Sequence, residues 1–267
     1  MSEVLVTSVN PEEFDSIKSP KLPRGYLSAS QIQKYLMCPE DYRLTYIEGR
    51  KFKPNSKMVR GSSVHKMVEK SLLMLKGRGR APDEEEVLDL SRGIVEGVLE
   101  SQETSEEVDV EDLVDSSQKS FRAWYKERIH SVVPISVEQE VLATINDVPV
   151  RGFIDYIDGA GGSPTVVDLK VGNKKRDPCN SLQLGLYSLM TDIPSVAYDT
   201  ILQPTKRLPC RINYESAQYT ERYAQHIGRI IERVHEGITS GYFPLCLPDN
   251  WACSPAYCSH YERCRGT

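Results

Sequence analysis

The chain has 267 residues, 39% hydrophobic and 27% charged, with a formal net charge of −5 at pH 7. This is enough apolar material for a real core in one large domain or two small ones. No run approaches the twenty apolar residues that span a bilayer, and the start, Met1-Ser2-Glu3-Val4, lacks a cationic, apolar secretory pattern, so an intracellular, cytoplasmic protein is expected.

The acidic balance argues against indiscriminate nucleic-acid binding, but the charge is unevenly spread. Arg43 to Arg80 holds eleven Lys or Arg against two Glu, and Pro82 to Asp115 holds fourteen acidic residues against one Arg. Such blocks predict one basic and one acidic face, the acidic one a candidate docking surface. The basic block contains His65, and a second basic cluster, Lys174-Lys175-Arg176, would draw phosphates to the same region.

In chain order, Met1 to Gly25 shows no clear periodicity and reads as an extended arm, with residues 27–267 as a single domain. Ser28 or Ser30 can cap a helix through Leu36, which Cys38-Pro39 interrupts. A helical piece from Glu40 to Ile47 and a loop from Lys51 to Lys57 follow. Met58 to Lys76 reads as a helix bearing His65, and Lys76 to Pro82 as a mobile basic linker. Glu84 to Glu100 and Val110 to Ile129 are expected helices of an inserted helical subdomain, residues 77–131. Ile135 to Ile145 reads as a strand. Val196 to Gln203 and Leu208 to Tyr214 are further strands, Glu215 to Thr239 is a long helix, and residues 241–267 form a Cys-rich tail.

Between these lies Val148 to Tyr187. Two short apolar runs flank the glycine-rich turn Gly159-Ala160-Gly161-Gly162-Ser163, a hairpin signal. Asp155 is on the first strand; Asp168 and Lys170 share a face of the second, two residues apart. An Asp following Thr165-Val166-Val167 on a buried strand is costly unless neutralised, and a second Asp on the neighbouring strand adds to the cost unless a cation sits between them. Oxygen ligands suit magnesium or manganese. Ser181 to Met190 is a helix that presents Gln183 and Tyr187 four residues apart on one face. Glu138 and Glu140 share one face of the preceding strand and could assist the metal, though a solvated strand face is the favoured reading.

Gly152-x-x-Asp155, Asp168-x-Lys170, Gln183-x-x-x-Tyr187 and the upstream Gly61-x-x-x-His65, in this order, resemble the nuclease core of the PD-(D/E)XK superfamily, closest to its RecB-like branch. The resemblance covers Leu27 to Cys264. It implies an α/β, restriction-endonuclease-like fold: a central mixed sheet flanked by helices, with a helical subdomain and a Cys-rich region joining the two ends. It also implies magnesium or manganese held by His65, Asp155, Asp168 and the backbone carbonyl of Leu169. Lys170 would orient the attacking water, Gln183 and Tyr187 would position DNA or that water, and Lys174, Lys175 and Arg176 would bind DNA.

Of seven cysteines, four lie in the last twenty-two residues. Clustered cysteines in an intracellular chain more often bind metal than form disulfides. Cys253, Cys258 and Cys264, with the distant Cys38, resemble the iron–sulfur tail of some RecB-like nucleases, including the CRISPR-associated adaptation nuclease, AddB and phage-borne relatives. The resemblance implies a 4Fe–4S cluster on these four thiolates, stapling the two ends together. Four residues separate Cys253 from Cys258, where the commonest form has two. Cys246 and His260 are alternative ligands, and zinc is the rival metal. Cys179 and Cys210 read as free thiols.

The function expected is a metal-dependent DNA exonuclease acting on single strands or DNA ends in recombination, repair or CRISPR-type DNA processing. The alternative is a non-catalytic or complex-dependent iron–sulfur DNA-binding subunit. No Walker-type phosphate loop is present, so a helicase, recombination or CRISPR adaptation partner would be a separate protein.

Overall fold

The structure is a computed structural model that describes residues 4–50, 53–101, 103–105 and 107–265. Lys51 of the expected loop and Glu106 of the acidic block lie outside the described residues. Six strands form one sheet in the order β1-β2-β3-β4-β5-β6. β1 (Val6–Ser8), β2 (Pro134–Ile145), β3 (Val148–Asp158) and β4 (Thr165–Gly172) are successively antiparallel, β5 (Ser195–Leu202) is parallel to β4, and β6 (Arg211–Gln218) is antiparallel to β5. Asn146 and Asp147, at φ 49° and 62°, make the two-residue turn between β2 and β3. Both positions of such a turn need the left-handed region, which Asn and Asp tolerate best after Gly.

The parallel step requires a crossover, and α8 (Leu182–Thr191) supplies it. Ser181 starts α8 by accepting the Leu184 amide at 3.2 Å, and Asp192 ends it at φ 55°. Alternation along β4 then divides the core in two. Val166 faces a cluster with α2 (Ala29–Met37), α8 and α9 (Glu221–Thr239), represented by Ile32, Leu184, Ile227 and Ile231. Val167 and Leu169 face a second cluster with α4 (Ser56–Arg78) and α7 (Val110–Arg128), represented by Val64, Met67, Phe121 and Trp124. The α4 stripe Val64, Met67, Val68, Leu72 has helical spacing and is buried, which leaves His65 at its margin. This is an α/β fold with a mixed six-stranded sheet covered by helices on both faces. Among the described residues no helix is long and apolar enough to cross a membrane.

A buried polar network ties α7 to the sheet. Asp199 on β5 is fully buried and accepts from Tyr156 Oη at 2.7 Å, Trp124 Nε1 at 2.9 Å and Arg128 Nε at 3.1 Å. All three donors meet on Oδ2, where they offset the burial of the charge, while Oδ1 is buried without a hydrogen-bond partner.

Several local expectations are corrected. The N-terminal stretch is not an extended arm: β1 pairs with β2, and α1 (Pro11–Ile17) opens with Asn10 and Glu13 capping each other's amides. The basic linker is shorter than expected, because α4 runs to Arg78 and stops at Gly79, φ 68°. The acidic helix is two pieces, α5 (Glu84–Leu88) and α6 (Ser91–Glu100). Residues 215–218 continue β6 and pair with β5 as far as Ser195–Gln218, and α9 begins only after the Thr220 cap. The charge blocks meet rather than standing as separate faces: Arg78 forks onto Glu86 at 2.6 and 2.7 Å, and Lys53 reaches Glu103 at 2.8 Å. Such exposed pairs add little stability, but they do cancel charge locally.

Candidate active site

β3 and β4 pair only from Tyr156–Val167 to Asp158–Thr165 and then part. Beyond the fork Leu27 takes over the edge of β3, donating its amide to Pro149 and accepting from Arg151, both at 2.9 Å. Asp155 stands at the mouth of the fork. Its Oδ2 accepts the Leu169 amide at 2.6 Å, in place of a ladder bond, and its Oδ1 is 3.5 Å from His65 Nδ1. Asp168 is 2% exposed. Its Oδ2 lies 2.6 Å from Lys170 Nζ, yet that buried oxygen receives no properly directed hydrogen bond. Lys170 Nζ donates to Gln183 Oε1 at 3.2 Å, and Gln183 Nε2 donates to the Tyr187 hydroxyl at 3.2 Å. Residues from α4, β3, β4 and α8 thus meet at one point.

A family model for the PD-(D/E)XK nuclease superfamily matches residues 26–265. The chain belongs to the PD-(D/E)XK nuclease superfamily. Among solved structures, a candidate exonuclease from Eubacterium rectale is similar at 12% identity and a TM-score of 0.55, over 95% of this chain and 93% of that one. The structure of SSO0001 aligns at 15% identity and a TM-score of 0.41, over 90% of this chain and 86% of the other. No curated protein matches the chain.

The electrostatics of this nuclease set its two site acids apart. Burial pushes Asp168 up to about 6; Lys170 pulls against that shift, and Asp155 adds to it. Burial also works to raise Asp155, but His65, Lys170 and the Leu169 amide outweigh it and hold the carboxyl below its usual range. Burial disfavours the charged form of His65, and the two carboxylates, Asp155 first, outweigh that and raise it. The two acids therefore differ in kind, one held ionised and one easily protonated.

Gly152 shows why the site needs its glycine. A Cβ there would sit 2.5 Å from Tyr187 Cε1, so the ring of Tyr187 occupies the space. The Gly-x-x-Asp and Gln-x-x-x-Tyr elements are thus in direct contact. Gly152→Ala is expected to displace Tyr187 and cost about 1–3 kcal/mol of stability, read as a lower urea midpoint at unchanged slope. By contrast, open space surrounds the Cβ position of Gly61.

One acid was under-read from sequence. Glu138 stands across from Asp155, because Val137 pairs with Tyr156 and Gln139 with Ile154. It leaves the regular strand conformation at φ 48°, and burial, then the Asp155 charge, raise its carboxyl. The two-residue turn at Asn146-Asp147 sets this register and could have identified it. Glu140 instead pairs with Arg151 Nε at 2.6 Å. Lys174, Lys175 and Arg176 are exposed on the loop after β4, with Lys175 4.0 Å from Glu215.

Far along the chain from this site, Cys38, Cys246, Cys253, Cys258, Cys264 and His260 line one cavity of ≈ 170 Å³. Arg265 donates to Cys253 Sγ at 3.0 and 3.4 Å and lowers its thiol below the usual range. Burial raises Cys246 to about 12, with Cys38 and Cys253 adding to it, and burial also raises Cys258 and Cys264. His260 is 3.3 Å from Thr45 Oγ1. Cys179 and Cys210 are free thiols outside this lining. Among the described residues no group of three or more His, Cys, Asp or Glu side chains is already closed into a metal-holding set.

Proposed function

We propose that this nuclease is a divalent-metal-dependent DNA exonuclease, acting on single strands or DNA ends, with a 4Fe–4S cluster on Cys38, Cys253, Cys258 and Cys264. The observation that carries the activity is the linked set Asp155, Asp168, Lys170 and Gln183, with an under-bonded buried oxygen on Asp168. A hard cation is the group that such oxygens lack, and members of this superfamily typically use magnesium or manganese. Asp155, Asp168, His65 and the Leu169 carbonyl would hold it. When bound, the metal acidifies water and offsets charge on phosphorus.

The chain's own groups supply the rest. Lys170, anchored on Gln183, keeps an ammonium beside Asp168, where it can orient a water and oppose charge developing on the phosphate. Tyr187 braces Gln183 through its hydroxyl. The exposed Lys174, Lys175 and Arg176 offer a phosphate-attracting rim. The five cysteines around one cavity support the cluster, since Cys38 and Cys253 stand 215 positions apart in the chain. The fold shared with the candidate exonuclease from Eubacterium rectale is consistent with the activity.

The deciding experiment follows end-labelled DNA with magnesium, manganese or chelator. Mononucleotides released from linear DNA, and none from circles, support the exonuclease. No cleavage with either metal sinks the reading and leaves a DNA-binding subunit that acts only within a complex.

Metal and proton compete for Asp168. Because its folded value lies above the ordinary 3.8, this group costs stability as pH rises from about 4 to about 6, and the full cost persists above that. A cation removes the cost only where the carboxylate is ionised. Manganese is therefore expected to raise the melting temperature clearly at pH 7.5 and little at pH 5, by scanning calorimetry.

A further inference from the structure

Beside Gln183 and Tyr187 lies a cleft of ≈ 270 Å³, lined by Arg24, Tyr26, Ser28, Ser30, Arg151 and Phe153 on its other sides. Phe153 is mid-strand on β3, yet 49% exposed. The Arg151 guanidinium lies 5.1 Å from the Phe153 ring centroid and 5.4 Å from that of Tyr26, and Arg151 Nη1 is 3.4 Å from the Tyr26 hydroxyl. Glu140 lies 2.6 Å from Arg151 Nε on the other edge, an ion pair without a directed hydrogen bond. Arg24 lies over the Tyr46 ring at 5.0 Å. The hydroxyls of Ser28 and Ser30, 3.1 Å apart, add polar groups to the wall. Phe153 precedes Asp155 by two residues, about 7 Å along the strand.

An exposed ring, Phe153, and a half-buried one, Tyr26, interleaved with arginines form the kind of surface that a single nucleic-acid strand uses: unpaired bases offer a free π-face for stacking, and guanidinium groups take the phosphates. Bases inside a duplex have no free face to offer. We infer that this cleft is a track for single-stranded DNA, with Phe153 and Tyr26 as stacking platforms and Arg24 and Arg151 as phosphate contacts, delivering the strand to Asp155 and Asp168. The inference rests on the nuclease reading and names the substrate form that the site takes. Phe153 becomes a positioning residue: it touches a base next to the cut and leaves the reacting atoms to others.

The test is fluorescence anisotropy of a labelled twelve-residue oligo-dT on the full chain, with calcium in place of magnesium. Phe153→Leu keeps apolar bulk but removes the π-face, and binding is expected to weaken about 10-fold. Phe153→Trp should bind within about twofold of the parent, since stacking tolerates any aromatic ring. Both variants should melt with the parent, because the side chain is half exposed. With magnesium restored, Phe153→Leu should raise KM more than it lowers kcat. Unchanged binding by the Leu variant, equal loss by the Trp variant, or an equal loss on a duplex of the same length overturns the track. If the parent still degrades DNA in any of those cases, the nuclease reading survives; if the parent neither binds nor cuts, both fall.

Discussion

Asp168→Ala and Lys170→Ala should each reduce DNA cleavage by at least about 10²–10³-fold, the loss seen when one preorganised charge-stabilising group is removed. Initial rates on end-labelled DNA at saturating metal check this. The two losses differ in kind. Asp168→Ala removes a buried oxygen that the proposed function makes a metal ligand, and should raise the metal concentration needed for half-maximal rate. Lys170→Ala leaves both carboxylates in place, so metal binding should persist while turnover collapses. Cleavage at the parental rate by either variant removes that residue from the mechanism. Circular dichroism separates these losses from unfolding: Lys170→Ala strips the cation from a carboxylate that is 2% exposed, so its melting temperature should fall without metal and recover with it.

The second large effect concerns the cysteine cavity. With the proposed cluster on these thiolates, Cys38→Ala should lose iron and stability together. A link between positions 38 and 253 restricts the unfolded chain by an amount on the order of 4 kcal/mol, by analogy with a cross-link closing a loop of more than a hundred residues. For a chain of this size that loss corresponds to a drop of about 10 °C in melting temperature. The parent, purified without oxygen, should be brown and bind close to four iron atoms per chain by ferrozine assay. Cys258→Ala should behave as Cys38→Ala does, whereas Cys179→Ala, outside the cavity lining, should keep both colour and stability. Colourless protein with one zinc per chain would transfer the site to zinc, and metal-free protein with parental stability in Cys38→Ala would remove the staple.

The two sites were legible in the sequence to different depths. Asp168 and Lys170 could be placed together because strand alternation is local: residues two apart share a face whatever surrounds them. Gln183 and Tyr187 followed from the helical repeat in the same way. His65 was visible only through its spacing motif, since nothing local brings α4 to the fork between β3 and β4. Glu138 was within reach, because a two-residue turn fixes register by counting, but the Asn146-Asp147 turn went unread. The arm and the start of the last long helix were misassigned where short elements depend on partners: β1 exists because the free edge of β2 accepts it, and residues 215–218 are strand because β5 pairs with them.

The sequence by itself determined the elements that carry chemistry, their order, and the superfamily they place the chain in, because periodicity and motif spacing are properties of neighbouring residues. Only the tertiary structure decided how those elements meet. It shows β3 and β4 parting so that Asp155 takes the Leu169 amide, the Tyr187 ring filling the space beside Gly152, and five cysteines from both ends facing one cavity. Those contacts join residues far apart in the chain, and packing, which no local pattern encodes, sets their distances.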